Sequence, residues 1–170
     1  MRWADAEQRD LEFAGCFGKA SSIGAMPAQE HAGWRRVGIT VDSGAADSVA
    51  APDAFPGYPV KKHPTPIFYQ SATGEPITNT GSQQVALVTN EGTLRGMTFQ
   101  ATERVRKPLA AVKRIVEAGH AVVFAPEDFG GAFILNLETG EENGLREDDG
   151  NYMLDVWIPP AAEMGFTRLP

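Results

Sequence analysis

Cysteine is nearly absent: Cys16 is the only one in 170 residues. A single chain can therefore build neither an internal disulfide nor a multi-thiolate zinc site. The three histidines, His31, His63 and His120, are scattered without ligand spacing, so neither a metal nor a cofactor is expected. Basic residues are also scarce, with 15 Lys and Arg against 22 Asp and Glu, a formal charge of -7 and a pI near 4.9. A nucleic-acid partner is not expected, because phosphate recognition needs clustered cations. The one basic cluster, Arg104, Arg106, Lys107, Lys113 and Arg114, is interrupted by apolar residues and reads as a solvated face. No apolar run reaches membrane length, and Arg2, Asp5, Glu7, Arg9, Asp10 and Glu12 stand where a signal peptide needs an apolar core. The expectation is a soluble, cytoplasmic chain with no membrane partner.

What the chain does have is turn residues, 18 Gly and 12 Pro, beside an ordinary 42% hydrophobic content. At this length one main domain can bury a core unaided. The expected class is all-β with one short late helix. Residues 1–32 mix charges with Ala, Gly and Ser and read as a flexible leader, in which a short helix over 4–13 is the only candidate element. Residues 33–158 form the expected domain and 159–170 a C-terminal tail.

Within the domain, Val37, Ile39 and Val41 alternate with Arg36, Gly38 and Thr40, predicting a strand with one buried face that runs into Asp42. Pro52, Pro56, Pro59, Pro64 and Pro66 predict a loop with short extended pieces up to Ile67. Hairpins are expected to turn at 72–75 around Gly74 and at 90–93 around Gly92. Pro108 is expected to open the helix, with Leu109, Val112, Ile115 and Val116 on one face and Gly119 at its end. Further strands are expected at 120–125, 132–137 and 152–158. Asp128-Phe129-Gly130 matches a kinase metal-binding triplet, but without a phosphate loop or catalytic loop it reads as a turn.

The constellation with a mechanism attached is Asp42-Ser43-Gly44. An acid at the end of a strand leaves a rigid sheet and enters a turn, where Gly44 would permit backbone conformations other residues resist and Ser43 could bond nearby backbone. The alternative is an acidic turn between strands.

The longer run Asp42-Ser43-Gly44-Ala45-Ala46-Asp47-Ser48-Val49 resembles the catalytic turn of retropepsins, the aspartic proteases of retroviruses and retrotransposons, whose pattern is Asp-Ser/Thr-Gly-Ala. Downstream, Ala72-Thr73-Gly74-Glu75-Pro76-Ile77 is similar to the flap hairpin of copia-like members. Pro108-Leu109-Ala110-Ala111-Val112, Gly119 and the run from Gly150 to Leu154 are similar to the stretch beyond the flap in those proteins. Where many retropepsins have two aliphatic residues and a Gly before the late helix, this chain has Leu109-Ala110-Ala111.

The resemblance implies a closed β-barrel that is half of a symmetric homodimer, because only one such triplet occurs and a catalytic pair needs two. It implies Asp42, Ser43 and Gly44 as the catalytic turn. Ala45, Asp47 and the flap residues Ala72, Thr73, Gly74 and Glu75 would meet a peptide or polyprotein substrate, with no metal involved. By composition alone Asp47 is a solvated loop acid and Gly74 an ordinary turn glycine. Two functions fit: an endopeptidase processing a retroelement polyprotein, or a retropepsin-like module that has lost activity and serves dimerisation or peptide binding.

Overall fold

A computed structural model describes residues 33–71 and 73–165. The leader with its candidate helix, Cys16, His31, Ala72 and the last five residues of the expected tail lie outside the described residues. Ten strands dominate: β1 Arg35–Asp42, β2 Val49–Ala50, β3 Val60–Gln70, β4 Pro76–Thr89, β5 Leu94–Ala101, β6 Leu109–Ala111, β7 His120–Val123, β8 Ala132–Asn136, β9 Glu142–Asp148 and β10 Asn151–Ile158. The α-helix among the described residues, α1 Val112–Glu117, is short. The chain is thus mainly β, and no described helix is long and apolar enough to cross a membrane.

The strands pair in the order β3-β4-β5-β2-β6-β1-β10-β9-β8-β7, and β4 pairs additionally with β10. That second contact, Val156 opposite Thr89 and Trp157 opposite Val88, brings the run from β4 through β1 to β10 back onto itself. The core joins this run to β8, α1 and the 3-10 turn after β10. Ile39 and Val41 of β1 meet Val85 and Leu87 of β4, Phe99 of β5, Ile134 of β8 and Leu154 and Val156 of β10. Strand β5 alternates inward and outward, whereas Val85–Thr89 of β4 and Met153–Ile158 of β10 are buried on both faces, and Phe55 packs on Phe99 with ring centroids 4.9 Å apart.

Three expectations need correction. The stretch through Pro64 and Pro66 is strand, not loop: β3 runs through both prolines, with its register against β4 shifting between Lys62 and Ile67. Proline is tolerated there because β3 is an edge strand and the irregularity absorbs the missing donors. Leu109 is not helical. Residues 109–111 form β6, parallel to β1, and the helix begins only at Val112, because the buried slot beside β1 outweighs a helical spacing three residues earlier. The segment from Pro159 does not trail away: Tyr58 donates its hydroxyl to the Pro159 carbonyl at 2.9 Å, and Ala161 and Met164 of a 3-10 turn are buried in the core. Strand β9 was not foreseen, since Glu142–Asp148 is polar with little apolar alternation.

Both hairpin turns form as expected, with Gly74 and Gly92 at positive φ, as does the turn at Asp128 and Phe129. Three members of the basic cluster pair with acids: Arg104 with Glu75, Arg114 with Asp47 and Glu117, and Lys113 also with Glu117.

Candidate functional site

Asp42 is the last residue of β1, a strand hydrogen-bonded on both sides, antiparallel to β10 and parallel to β6. Its Cα partner on β6 is Ala111, and on β10 the adjacent Val41 faces Tyr152. A carboxylate leaving the end of such a strand inherits the rigidity of the sheet. The Gly44 N–H donates to Asp42 Oδ1 at 2.7 Å, a charge-assisted bond that fixes the carboxylate plane. Asp42 is half-buried while Ser43 and Gly44 are exposed.

Gly44 matters for a different reason from the one expected. Its φ is not positive, so no left-handed backbone is required. A Cβ there would instead lie 3.3 Å from Asp42 Oδ1, inside normal contact distance. The turn is held by the Asp42–Gly44 bond rather than by Ser43, whose hydroxyl has no hydrogen-bond partner among the described residues.

The far end of the loop is fixed by Ser48. Its buried Oγ accepts from the Ala111 N–H at 3.0 Å, and its carbonyl accepts from the Gln100 N–H at 2.8 Å. Strand β2 then pairs with β5 and β6. Because β6 also pairs with β1, the 42–49 loop straddles β6, anchored on both flanks. Ala45 is half-buried and Ala46 exposed within it.

Asp47 is not a free loop acid. Tyr69 of β3 donates to its Oδ2 at 3.0 Å, and the Arg114 guanidinium of α1 meets Oδ1 while also reaching Glu117 at 2.9 Å. The Arg114 pKa is raised, first by its bond to Asp47. The Tyr69 phenol is also raised, mainly by burial and then by Asp47. Behind Tyr69 stands fully buried Asn79, whose amide nitrogen reaches the Tyr69 hydroxyl at 3.4 Å and Gln100 Oε1 at 2.7 Å. His63 Nε2 lies 3.1 Å from the same Gln100 oxygen. A polar chain thus runs from the base of the β3–β4 hairpin to the loop beginning at Asp42.

The hairpin turn is built from its own residues. Ser71 and Thr73 hydroxyls are 2.8 Å apart, the Glu75 N–H donates to Ser71 Oγ at 3.0 Å, and Glu75 pairs with Arg104 at 2.7 Å. Thr73, Gly74 and Glu75 make no hydrogen bond to the 42–48 loop. The structure brings Asp42, Asp47 and the hairpin strand together through Tyr69, not through the turn. Sequence reading missed Tyr69, Asn79 and Arg114, and it quoted Ser48 within the Asp42–Val49 run without giving it a role. Tyr69 and Asn79 carry no local motif, and Arg114 sits in a pattern typical of a solvated helix face.

The chain matches no protein-family model and no curated protein.

Proposed function

We propose that this chain is an aspartic endopeptidase of retropepsin type, a closed barrel that supplies one Asp42 to a site completed by a second copy. The observation that carries the reading is the Asp42 carboxylate, fixed by the Gly44 N–H at the end of a strand hydrogen-bonded on both sides. Support also comes from the strand run that returns on itself through β4 and β10. A further support is Leu109-Ala110-Ala111, in parallel register with Thr40, Val41 and Asp42.

Two carboxylates about 4 Å apart across a two-fold axis repel by about 4 kcal/mol at an effective dielectric near 20, so one proton is shared between them. The ionised Asp42 takes a proton from water as the oxygen attacks the scissile carbonyl. The protonated Asp42 of the other copy donates to the carbonyl oxygen, giving a neutral tetrahedral diol. Collapse returns a proton to the departing amine. The β3–β4 hairpin closes over an extended peptide and excludes water, with the Gly74 turn as its tip. The substrate would be a polyprotein of retroelement origin.

Incubation of the protein with a mixed peptide library at pH about 5 tests this, comparing it with Asp42→Asn. The variant should lose about 10²–10⁴-fold in cleavage rate, the range for general acid–base groups. Equal turnover in both proteins would reject the protease and leave a peptide-binding or dimerisation module.

A further inference from the structure

The two edges of the sheet differ in how they are guarded. Strands β3 and β7 end the sheet order, and an edge strand is a template for pairing unless charge, proline or irregularity blunts it. β3 carries Lys61, Lys62, Pro64 and Pro66 and shifts register between Lys62 and Ile67. β7, His120-Ala121-Val122-Val123, has no Lys, Arg, Asp, Glu or Pro and keeps an unbroken register against β8. The Leu137 N–H donates to the Gly119 carbonyl at 3.1 Å, which fixes the phase of that ladder. Opposed residues alternate between bonded and non-bonded pairs, so Ala121 and Val123 turn their main-chain groups toward β8. Val122 turns its own to the outer edge, where no described strand pairs.

The β7–β8 ladder is apolar on both faces. Val122 and Ile134 turn into the core. Ala121 and Val123, opposite Leu135 and Phe133, point to the other face by strand alternation; these four are only half-buried and lie outside the core cluster. Beyond the ends of the ladder Leu137 is 64% and Phe129 83% exposed. Apolar surface rimmed by polar groups marks a docking site, and here the rim is of one sign. Residues 115–145 hold six of the chain's 22 acids and none of its 15 Lys and Arg, nearly the whole formal charge of -7. Glu127 and Asp128 follow β7, and Glu138 follows β8 at the opposite end. All three are exposed, and none forms an ion pair among the described residues.

We propose that the free edge of β7 binds an extended cationic segment of a partner protein, added as a further strand. Its alternate apolar side chains extend the outer face alongside Ala121 and Val123, and its Lys or Arg residues meet Glu138 at one end and Glu127 and Asp128 at the other. Main-chain bonds to the edge supply affinity, and the alternating side chains supply selectivity. Four residues of strand span about 13 Å, so a segment of about seven residues carries its cations past both ends. Charge selects the occupant. A second copy would bring one cation-free acidic stretch against another, which repels, whereas a cationic strand complements it. The inference goes beyond the chemistry at Asp42 and does not rest on it.

The probe is a capped peptide, Lys-Val-Thr-Val-Thr-Val-Lys, titrated into the full chain and followed by calorimetry and amide exchange. It should bind, and saturation should raise protection of the Val122 N–H while Ala121 and Val123, already bonded to β8, stay unchanged. A Glu127→Gln/Asp128→Asn/Glu138→Gln triple variant, altered only at exposed positions, should bind roughly tenfold more weakly, the combined effect of three rim charges. Added salt should weaken the parent's binding by screening. Two control peptides separate charge from strand pairing: one with Glu in place of both Lys, and one with Pro in place of both Thr, which breaks the ladder. Absence of binding, equal binding of either control, or a triple variant that binds like the parent would each overturn the proposal. So would binding that leaves Val122 exchange unchanged, which places the peptide elsewhere, at Asp42 for instance. Without peptide, Val122 protection that rises with protein concentration would assign the edge to a second copy, and protection already present in the monomer would assign it to the chain's own residues; either result rejects the cationic partner.

Discussion

At the scale of single residues, the loop beginning at Asp42 is governed by bonds that cross long stretches of chain. Tyr69 and Asp47 are 22 positions apart, and Ser48 and the Ala111 N–H are 63 apart. Tyr69→Phe removes one of the two protein partners of Asp47, leaving Arg114. It should cost about 0.5–1.5 kcal/mol in urea unfolding, and under the protease reading it should raise KM more than it lowers kcat, because the hairpin loses its tie to the loop. An unchanged unfolding midpoint would show that the bond carries no weight.

His120 gives a prediction in pH. It is buried, and its pKa is lowered to about 4, first by burial, against the raising effect of its bond to the Ala118 carbonyl and with a smaller lowering by Arg95. At pH 7 it is neutral folded and mostly neutral unfolded. Between the ordinary value near 6.5 and about 4, the unfolded chain binds a proton that the folded chain refuses, so stability falls as pH falls through that window. Melting curves from pH 7 to 4 should show a loss of about 3 kcal/mol that His120→Gln flattens. Cleavage assays near pH 5 therefore fall within this window, and the folded fraction should be measured beside the rate.

At the scale of elements, the β3–β4 hairpin depends on close backbone approach at its base. A Cβ on Gly81 would fall 2.5 Å from the Lys61 carbonyl oxygen and 3.0 Å from its carbon, which backbone can relieve only by moving the strands apart. Gly81→Ala should destabilise by about 1–3 kcal/mol, with amide protection lost first along the Val60–Lys62 pairing. Gly74, at φ +83 with open space around it, is a turn position where the strain of a side chain should be felt locally instead. The prolines of β3 show how an element can be misread. Pro64 and Pro66 forbid a central strand but not an edge one, and edge or centre is settled by which strands lie alongside.

At the scale of the whole molecule, activity and assembly are one quantity in the proposed reading. Cleavage per mole of protein should fall on dilution below the dimer dissociation constant and recover on concentration, because each chain holds half a site. A specific rate constant across a thousandfold dilution, with mass remaining that of a monomer, would contradict a shared site. The formal charge of -7 opposes self-association, so moderate salt should strengthen the dimer by screening.

Local sequence determined the parts that depend on neighbours in the chain. The period-two run to Val41, the Asp42-Ser43-Gly44 turn, the Gly74 and Gly92 hairpins and the mainly-β character come from side-chain alternation and turn chemistry, which act over a few residues. The tertiary structure decided the rest. It drew Leu109, Ala110 and Ala111 out of a helical pattern into a parallel strand, because a slot beside β1 was there to fill. It placed Tyr69 and Arg114 on Asp47 and packed 159–164 onto the core. It also recruited Glu142–Asp148 as a strand, since pairing with β8 and β10 satisfies backbone groups whatever the side chains prefer. Those outcomes depend on contacts between residues far apart in sequence, whose energies leave no period or motif to read.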